Sequence, residues 1–266
     1  MYKIGSLFSG IGGFELGLER ALPARTIWQV EQNKFCQSIL KKHWPKSKIY
    51  DDVRNITKEN VEPVDILCGG FPCQDISVAG KQGGIDGKKS GLWWEFHRII
   101  IELSEGRKKP IVVLENVPNV LRLGGIEVLG SLAQIGYHAE WTIISAKQFG
   151  APHLRKRWFC VAYPNIKRFS SWEHGKRTKR GEKITSTGKM DFMDKNSGKN
   201  ENTKNQTKKT YWQKNTSQSP LCQLDDGIPK RVARLKALGN AIVPQCSEWI
   251  GEQIWKSGIL QGENNV

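Results

Sequence analysis

Four short apolar runs, each followed by a stretch with apolar residues at helical spacing, constrain this chain more than any other feature. Residues 3–8 form such a run, ended by Ser9-Gly10, and residues 14–22 follow with helical periodicity. The pairing recurs with strand 26–30 and helix 33–43, strand 64–68 and helix 92–103, and strand 111–114 and helix 126–135. Residues 138–145 and 157–162 read as two further strands. Strands this short and apolar are covered on both faces, and parallel neighbours need crossover connections, usually helical. The expected fold is α/β: a mostly parallel sheet with helices on both faces.

The periodicity stops near Pro164. From residue 165 to 214 there are 14 Lys+Arg against 5 Asp+Glu, so about nine of the +15 formal charges sit there. Two readings of this stretch stand side by side. One is a solvated insertion without fixed structure. The other is a nucleic-acid contact segment, with Phe169, Trp172, Tyr211 and Trp212 available to stack or wedge. Order returns at Leu221. Residues 228–238 carry basic side chains at helical spacing, Gly239-Asn240 punctuate them, and residues 241–254 read as a final helix with Pro244 in its first turn.

The pI of about 9.6 points to a polyanionic partner. No apolar run approaches the ~18 residues of a membrane span, and the N-terminus reads as a first strand and not a signal peptide. The six cysteines, Cys36, Cys68, Cys73, Cys160, Cys222 and Cys246, contain no C-x-x-C pair. Free thiols in a reducing compartment are expected, with no metal site.

The residues at the strand ends carry the chemistry. The first strand runs into FSGIGGF, residues 8–14. Glycines between a strand and a helix let a ligand approach the backbone. A dinucleotide-binding loop would continue with a third glycine at position 15, which is Glu15. A cofactor without a pyrophosphate, with an amino-acid end, fits better. Strand 26–30 leads into Glu31, placed to take ribose hydroxyls. In the sequence DDV at 51–53, one acid can accept from an adenine amino group and Val53 can pack on the ring. Strand 64–68 leads into GGFPCQ, which puts Cys73 on a loop where open α/β sheets bind ligands. A thiolate there is a strong nucleophile, whereas Cys68 inside the apolar run reads as an inert core residue. Strand 111–114 leads into Glu115, where a raised pKa would let the acid protonate or hydrogen-bond a ring nitrogen. Arg155 and Arg157 alternate ahead of a strand, so both can face one side and grip phosphate or a carbonyl.

The ordered set FSGIGGF, Glu31, DDV, GGFPCQDIS, GLWWEF, ENV, QFGAPHLRKRWF and GNAIVPQ resembles the cytosine-C5 DNA methyltransferase family. The resemblance spans nearly all of the chain except about residues 165–225. It implies a class I methyltransferase (Rossmann-like) sheet and S-adenosylmethionine as cofactor. Phe8, Gly10, Ile11, Gly12 and Gly13 would line the methionine end, Glu31 the ribose, and Asp52 and Val53 the adenine. Pro72 would belong to the cofactor-side loop, and Asn240 and Ala241 would close the pocket. Cys73 would add to C6 of a flipped-out cytosine, Glu115 would hold N3 and the exocyclic amine, and Arg155 and Arg157 would fix the O2 carbonyl and the active-site loop.

The implied division is residues 1–163 as the catalytic and cofactor-binding domain, 164–230 as a variable, basic target-recognition segment, and 231–266 as C-terminal helices returning to the first domain. The implied partner is double-stranded DNA, bound by a monomer in the cytoplasm of a bacterial or phage-infected cell, with no membrane contact. An RNA cytosine-C5 methyltransferase and a catalytically weak DNA-binding homologue are the alternatives. Two positions depart from the family pattern. Ser6 stands where many members carry an acid, and Gln32 stands where an aromatic often stacks on adenine.

Overall fold

The strand ends that carry the motifs come together along one edge of a single sheet. The structure is a computed structural model that describes residues 1–72, 91–164 and 231–261, the side chains of Arg231 and Leu235 excepted. Its strands are β1 (Tyr2–Leu7), β2 (Ala24–Val30), β3 (Lys48–Tyr50), β4 (Ile66–Gly69), β5 (Ile111–Asn116), β6 (Tyr137–Ser145) and β7 (Lys156–Pro164). They lie in the order 3-2-1-4-5-7-6. The pairs β3–β2, β2–β1, β1–β4 and β4–β5 are parallel, while β7 runs antiparallel to both β5 and β6. The expected mostly parallel sheet is therefore present, with an antiparallel margin.

Helices cover both faces. They are α1 (Gly13–Ala21), α2 (Lys34–His43), α3 (Gly91–Ser104), the short α4 (Val120–Leu123), α5 (Gly125–Gln134), α6 (Arg231–Asn240) and α7 (Pro244–Ser257). The alternation of side chains along a strand explains the two-sided core. Leu67, Val112 and Leu114 join Phe96 and Ile99 of α3 and Leu132 of α5. Their neighbours Ile66, Cys68, Ile111 and Val113 join Phe14 and Leu18 of α1 and Ile250 and Ile254 of α7. Cys68 is fully buried in the second cluster, as its place in an apolar run led us to expect.

Helices α1 and α7 approach closely. A Cβ at Gly17 would fall 2.1 Å from Ser247 Oγ, so only glycine permits this crossing. The last helix starts at Pro244, three residues later than the sequence pattern suggested. The residue before a proline is driven out of the helical region, and Val243 is extended with φ −75° and ψ 115°. The helix expected over 228–238 is observed as α6, while residues 228–230 fall outside the described residues. Among the described residues no helix is long and apolar enough to cross a membrane.

The topology fixes where a ligand can sit. Sequential strands run outward from β1 to β3, then the chain crosses to β4 and β5 on the other side. Open α/β sheets bind ligands at the carboxyl ends of the strands flanking such a reversal. The loops after β1, β2, β4 and β5 converge there.

Candidate active site

One half of this edge is built on Glu31, directly after β2. Its carboxylate accepts from the backbone N–H of Gly10 at 2.8 Å and from that of Asn33 at 2.7 Å. The glycine-rich loop after β1 is thereby tied to the tip of β2. Asn33 also caps α2, its side chain accepting from Phe35 N and Cys36 N. The loop is tightly bent: Phe8 and Gly10 have φ of 56° and 57°, and an aromatic residue in that region marks a strained position. A Cβ at Gly10 would meet nothing within 4 Å. The backbone there borders open space, a cradle for a ligand. Ile11 is half-buried, while Gly12 and Gly13 are buried beneath the loop. Glu15 stands where a phosphate-binding loop would have its third glycine. It is fully buried, with Gln29 Nε2 donating to it at 3.1 Å, and burial raises its pKa. A buried acid at the start of α1 is a poor neighbour for a pyrophosphate. The cradle suits a nucleoside cofactor that carries no phosphate, and S-adenosylmethionine meets that description.

The C-terminal segment returns to this loop. A Cβ on Gly13 would fall 2.2 Å from the Ile242 carbonyl oxygen, and Ser247 Oγ donates to Gly13 O at 3.1 Å. Ile242 and Ser247 thus pack against the glycine-rich loop, and Asn240 and Ala241 directly precede Ile242 in the chain. Asp52 and Val53 lie just past β3. Asp52 is engaged by Arg54, which donates to it from its backbone N–H at 2.9 Å and from its guanidinium at 2.6 Å, holding the carboxyl pKa down. Val53 is enclosed in the core.

The other half is built on Glu115, at the end of β5. It is 9% exposed, and burial pushes its pKa up to about 7, with Arg157 and Arg155 opposing the rise. Arg157 Nε lies 2.9 Å from Glu115 Oε1. This contact follows from strand direction. Because β7 runs antiparallel to β5, with Asn116 opposite Trp158, the first residues of β7 sit at the carboxyl edge of β5. Gly70 is needed beneath the acid, since a Cβ there would fall 2.7 Å from Glu115 Oε2.

Asn116 completes this half. Its side-chain amide donates to Phe71 O at 3.0 Å, and its oxygen accepts from Val117 N at 2.8 Å. It joins the loop after β5 to the loop after β4. Phe71 is further fixed by packing on Trp93, ring centroids 5.2 Å apart. Pro72 is exposed and ends this described stretch, and Cys73 lies outside the described residues. The four described cysteines, Cys36, Cys68, Cys160 and Cys246, are all buried.

The two arginines do not act as one grip. Arg155 has φ of 26°, which breaks the extended geometry that alternation requires, and β7 starts only at Lys156. Arg157 turns to Glu115. Arg155 donates instead to Gly239 O at 2.9 Å and to Ala241 O at 2.6 Å. Both guanidinium groups still bear on the Glu115 charge. Sequence reading missed Asn116 and Glu15. The ENV triplet signalled Asn116, but its partner is a backbone carbonyl that no residue type announces. Glu15 was read only as a missing glycine.

Comparison with known proteins bears on the family and the fold. The model of the C-5 cytosine-specific DNA methylase family matches residues 2–228. The Type II methyltransferase M.Bsp6I of Bacillus sp. (strain RFL6) is 34% identical over 178 residues, covering 65% of this chain and 55% of that protein. M2.BsuMI of Bacillus subtilis is 36% identical over 164 residues, covering 60% of this chain and 41% of that protein. The chain thus spans about half the length of the curated relatives it matches. Among solved structures, a mutant DNMT2 of Spodoptera frugiperda aligns with TM-score 0.54 at 20% identity, covering 68% of this chain and 54% of that one. The S. pombe Dnmt2 methyltransferase aligns with TM-score 0.55 at 21% identity, covering 65% and 53%. These structural likenesses bear on the fold, which is that of the class I methyltransferases. Motif order, fold and family match together assign the chain to the C-5 cytosine-specific DNA methylase family.

Proposed function

We propose that this chain transfers a methyl group from S-adenosylmethionine to C5 of a cytosine in duplex DNA, through a covalent bond between Cys73 and C6 of an extruded base. The observation that carries the reading is Glu115: a buried acid with a pKa of about 7, paired with Arg157, at the end of β5, where Asn116 ties the strand to Phe71, two residues before Cys73 in sequence.

Cytosine C5 is a poor nucleophile. Addition of the Cys73 thiolate at C6 makes C5 an enamine carbon, and the electron pair moves toward N3. A protonated Glu115 gives its proton, or a strong hydrogen bond, to N3 and so offsets the developing charge. Arg157 then faces a Glu115 carboxylate and stabilises it. The base cannot react inside a stacked duplex, so it is extruded into this pocket. S-adenosylmethionine supplies the electrophilic methyl group when bound. On the other half of the edge, the cradle at Gly10 takes the amino-acid end, with Phe8, Ile11, Gly12 and Gly13 forming the loop. Glu31 takes the ribose, Asp52 and Val53 border the adenine end, and Pro72, Asn240 and Ala241 close the pocket. Loss of the C5 proton afterwards lets the Cys73–C6 bond break and returns the thiolate.

Residues 1–163 and 231–266 form the catalytic unit in this reading, and residues 164–230, which fall outside the described residues from 165 onward, select the target. Their excess of positive charge supports phosphate attraction, which weakens with salt. The test is transfer of a labelled methyl group to duplex DNA and to tRNA in parallel. Labelling of duplex DNA is the expected result. Labelling of tRNA alone would replace this reading with RNA methylation, and DNA binding without labelling would favour a silent homologue.

A further inference from the structure

Arg155 sits at a crossing point that the proposed chemistry does not use. It is a half-buried residue with a strained φ of 26°, immediately before β7. Its two terminal nitrogens hold the carbonyls of Gly239 and Ala241, which bracket Asn240. Its Nε is buried and has no hydrogen-bond partner among the described residues. Both terminal nitrogens of the guanidinium are therefore committed to the backbone of residues 239–241. Gly239 O is one of the last four carbonyls of α6, which the helix itself leaves unpaired. A cation at a helix C-terminus is favoured by the helix dipole as well. A non-glycine residue keeps such a φ only when its surroundings demand it.

The far end of the same segment is fixed on the glycine-rich loop, by Ile242 O packed against Gly13 and by Ser247 donating to Gly13 O. Residues 239–242 thus form a strap between β7 and the cofactor cradle. Two residues along, Arg157 holds Glu115.

We infer that Arg155 is a positioning residue for the cofactor pocket: it latches the strap at residues 239–241 against the cradle, and leaves the contacts to the cytosine to Arg157 and Glu115. The inference deepens the function proposed above and rests on it for the identity of the ligand. It separates Arg155 from Arg157, which the family resemblance would join in fixing the O2 carbonyl and the active-site loop.

The latch is tested on the full chain without ligand, by hydrogen exchange of the amides at residues 239–243. Loss of two charge-assisted hydrogen bonds in Arg155→Gln should speed that exchange roughly tenfold or more. Arg155→Lys, which can reach one carbonyl at a time, should fall between. Unchanged exchange in both variants would overturn the latch, whatever the chain's activity. S-adenosylmethionine is then titrated calorimetrically without DNA. Affinity should fall about tenfold in Arg155→Gln and recover partly in Arg155→Lys, and in turnover the loss should appear more in KM for the cofactor than in kcat. Unaltered cofactor affinity with a collapsed kcat would overturn the inference and return Arg155 to the cytosine. A wild-type chain that takes no S-adenosylmethionine would sink the functional reading instead, and the exchange comparison alone would then decide the latch.

Discussion

Two glutamates stand at the carboxyl edge of one sheet and are built for opposite work. Glu31 accepts two backbone N–H groups, from Gly10 and Asn33. Glu115 is enclosed by the core, with Arg157 against it and a pKa pushed up to about 7 by burial. The first serves as a fixed acceptor that shapes a loop. The second is poised to gain and lose a proton near neutral pH, as a group that must protonate a ring nitrogen requires. The difference lies in burial and in the donor each meets, not in residue type. It separates a half of the site built to hold from a half built to react.

The largest blow to this contrast comes from Glu115→Gln. The amide keeps the shape but cannot protonate, so kcat should fall roughly 10²–10³-fold while cofactor affinity changes little. Steady-state kinetics at saturating cofactor checks this. The pH dependence sharpens it. The folded pKa of Glu115 lies above its ordinary 4.5, so the fold holds a proton that the unfolded chain has released. The stability tied to this group is full below about pH 4.5 and is lost as pH rises through about 7. In wild type kcat should decline above about pH 7 as the acid ionises. Glu115→Gln should flatten the slope of melting temperature between pH 4.5 and 7 and remove that limb of the rate profile; an unaltered slope would deny Glu115 its raised pKa.

A smaller effect is expected from Gly70→Ala. The added methyl would collide with the Glu115 carboxylate, so kcat should drop roughly ten- to a hundredfold with cofactor affinity spared. Asn116→Ala strips the partners from Phe71 O and Val117 N, at a cost of about 2–4 kcal/mol in denaturant unfolding. The mildest change for the fold is Gly10→Ala. It adds a side chain at positive φ, a cost of about 1 kcal/mol, and occupies open space. Its signature should be a KM for cofactor raised about tenfold with kcat nearly intact. If Gly70→Ala and Gly10→Ala gave the same kinetic signature, the two halves would not be separable.

Much of this was legible in the sequence. Strand and helix periods exposed the four βα units, because burial on both faces writes itself as short apolar runs. Glu31 and Glu115 stood out because each follows such a run directly. What stayed hidden depends on strand direction and backbone partners. Nothing in QFGAPHLRKRWF says that β7 runs antiparallel to β5, yet that direction alone brings Arg157 to Glu115. Arg155 looked like its twin, and a single dihedral angle sends it to the carbonyls of another segment. Asn116 acts on a carbonyl, and Asp52, read as an adenine contact, is engaged by Arg54. Cys73 lies outside the described residues, so its role rests on motif order and on the residues that frame it.

The central claim is a bond between Cys73 and C6 of cytosine, made beside a protonated Glu115. The most direct measurement uses a duplex library of varied sequence with 5-fluorocytosine in place of cytosine, incubated with S-adenosylmethionine. Fluorine at C5 cannot leave as a proton does, so the last elimination is blocked and the adduct persists. The account predicts a protein–DNA species that survives denaturation, maps to Cys73, forms slowly with Glu115→Gln and is absent with Cys73→Ala. An adduct that forms undiminished in Cys73→Ala, or DNA methylation by a wild-type chain that leaves no trapped species, would contradict it.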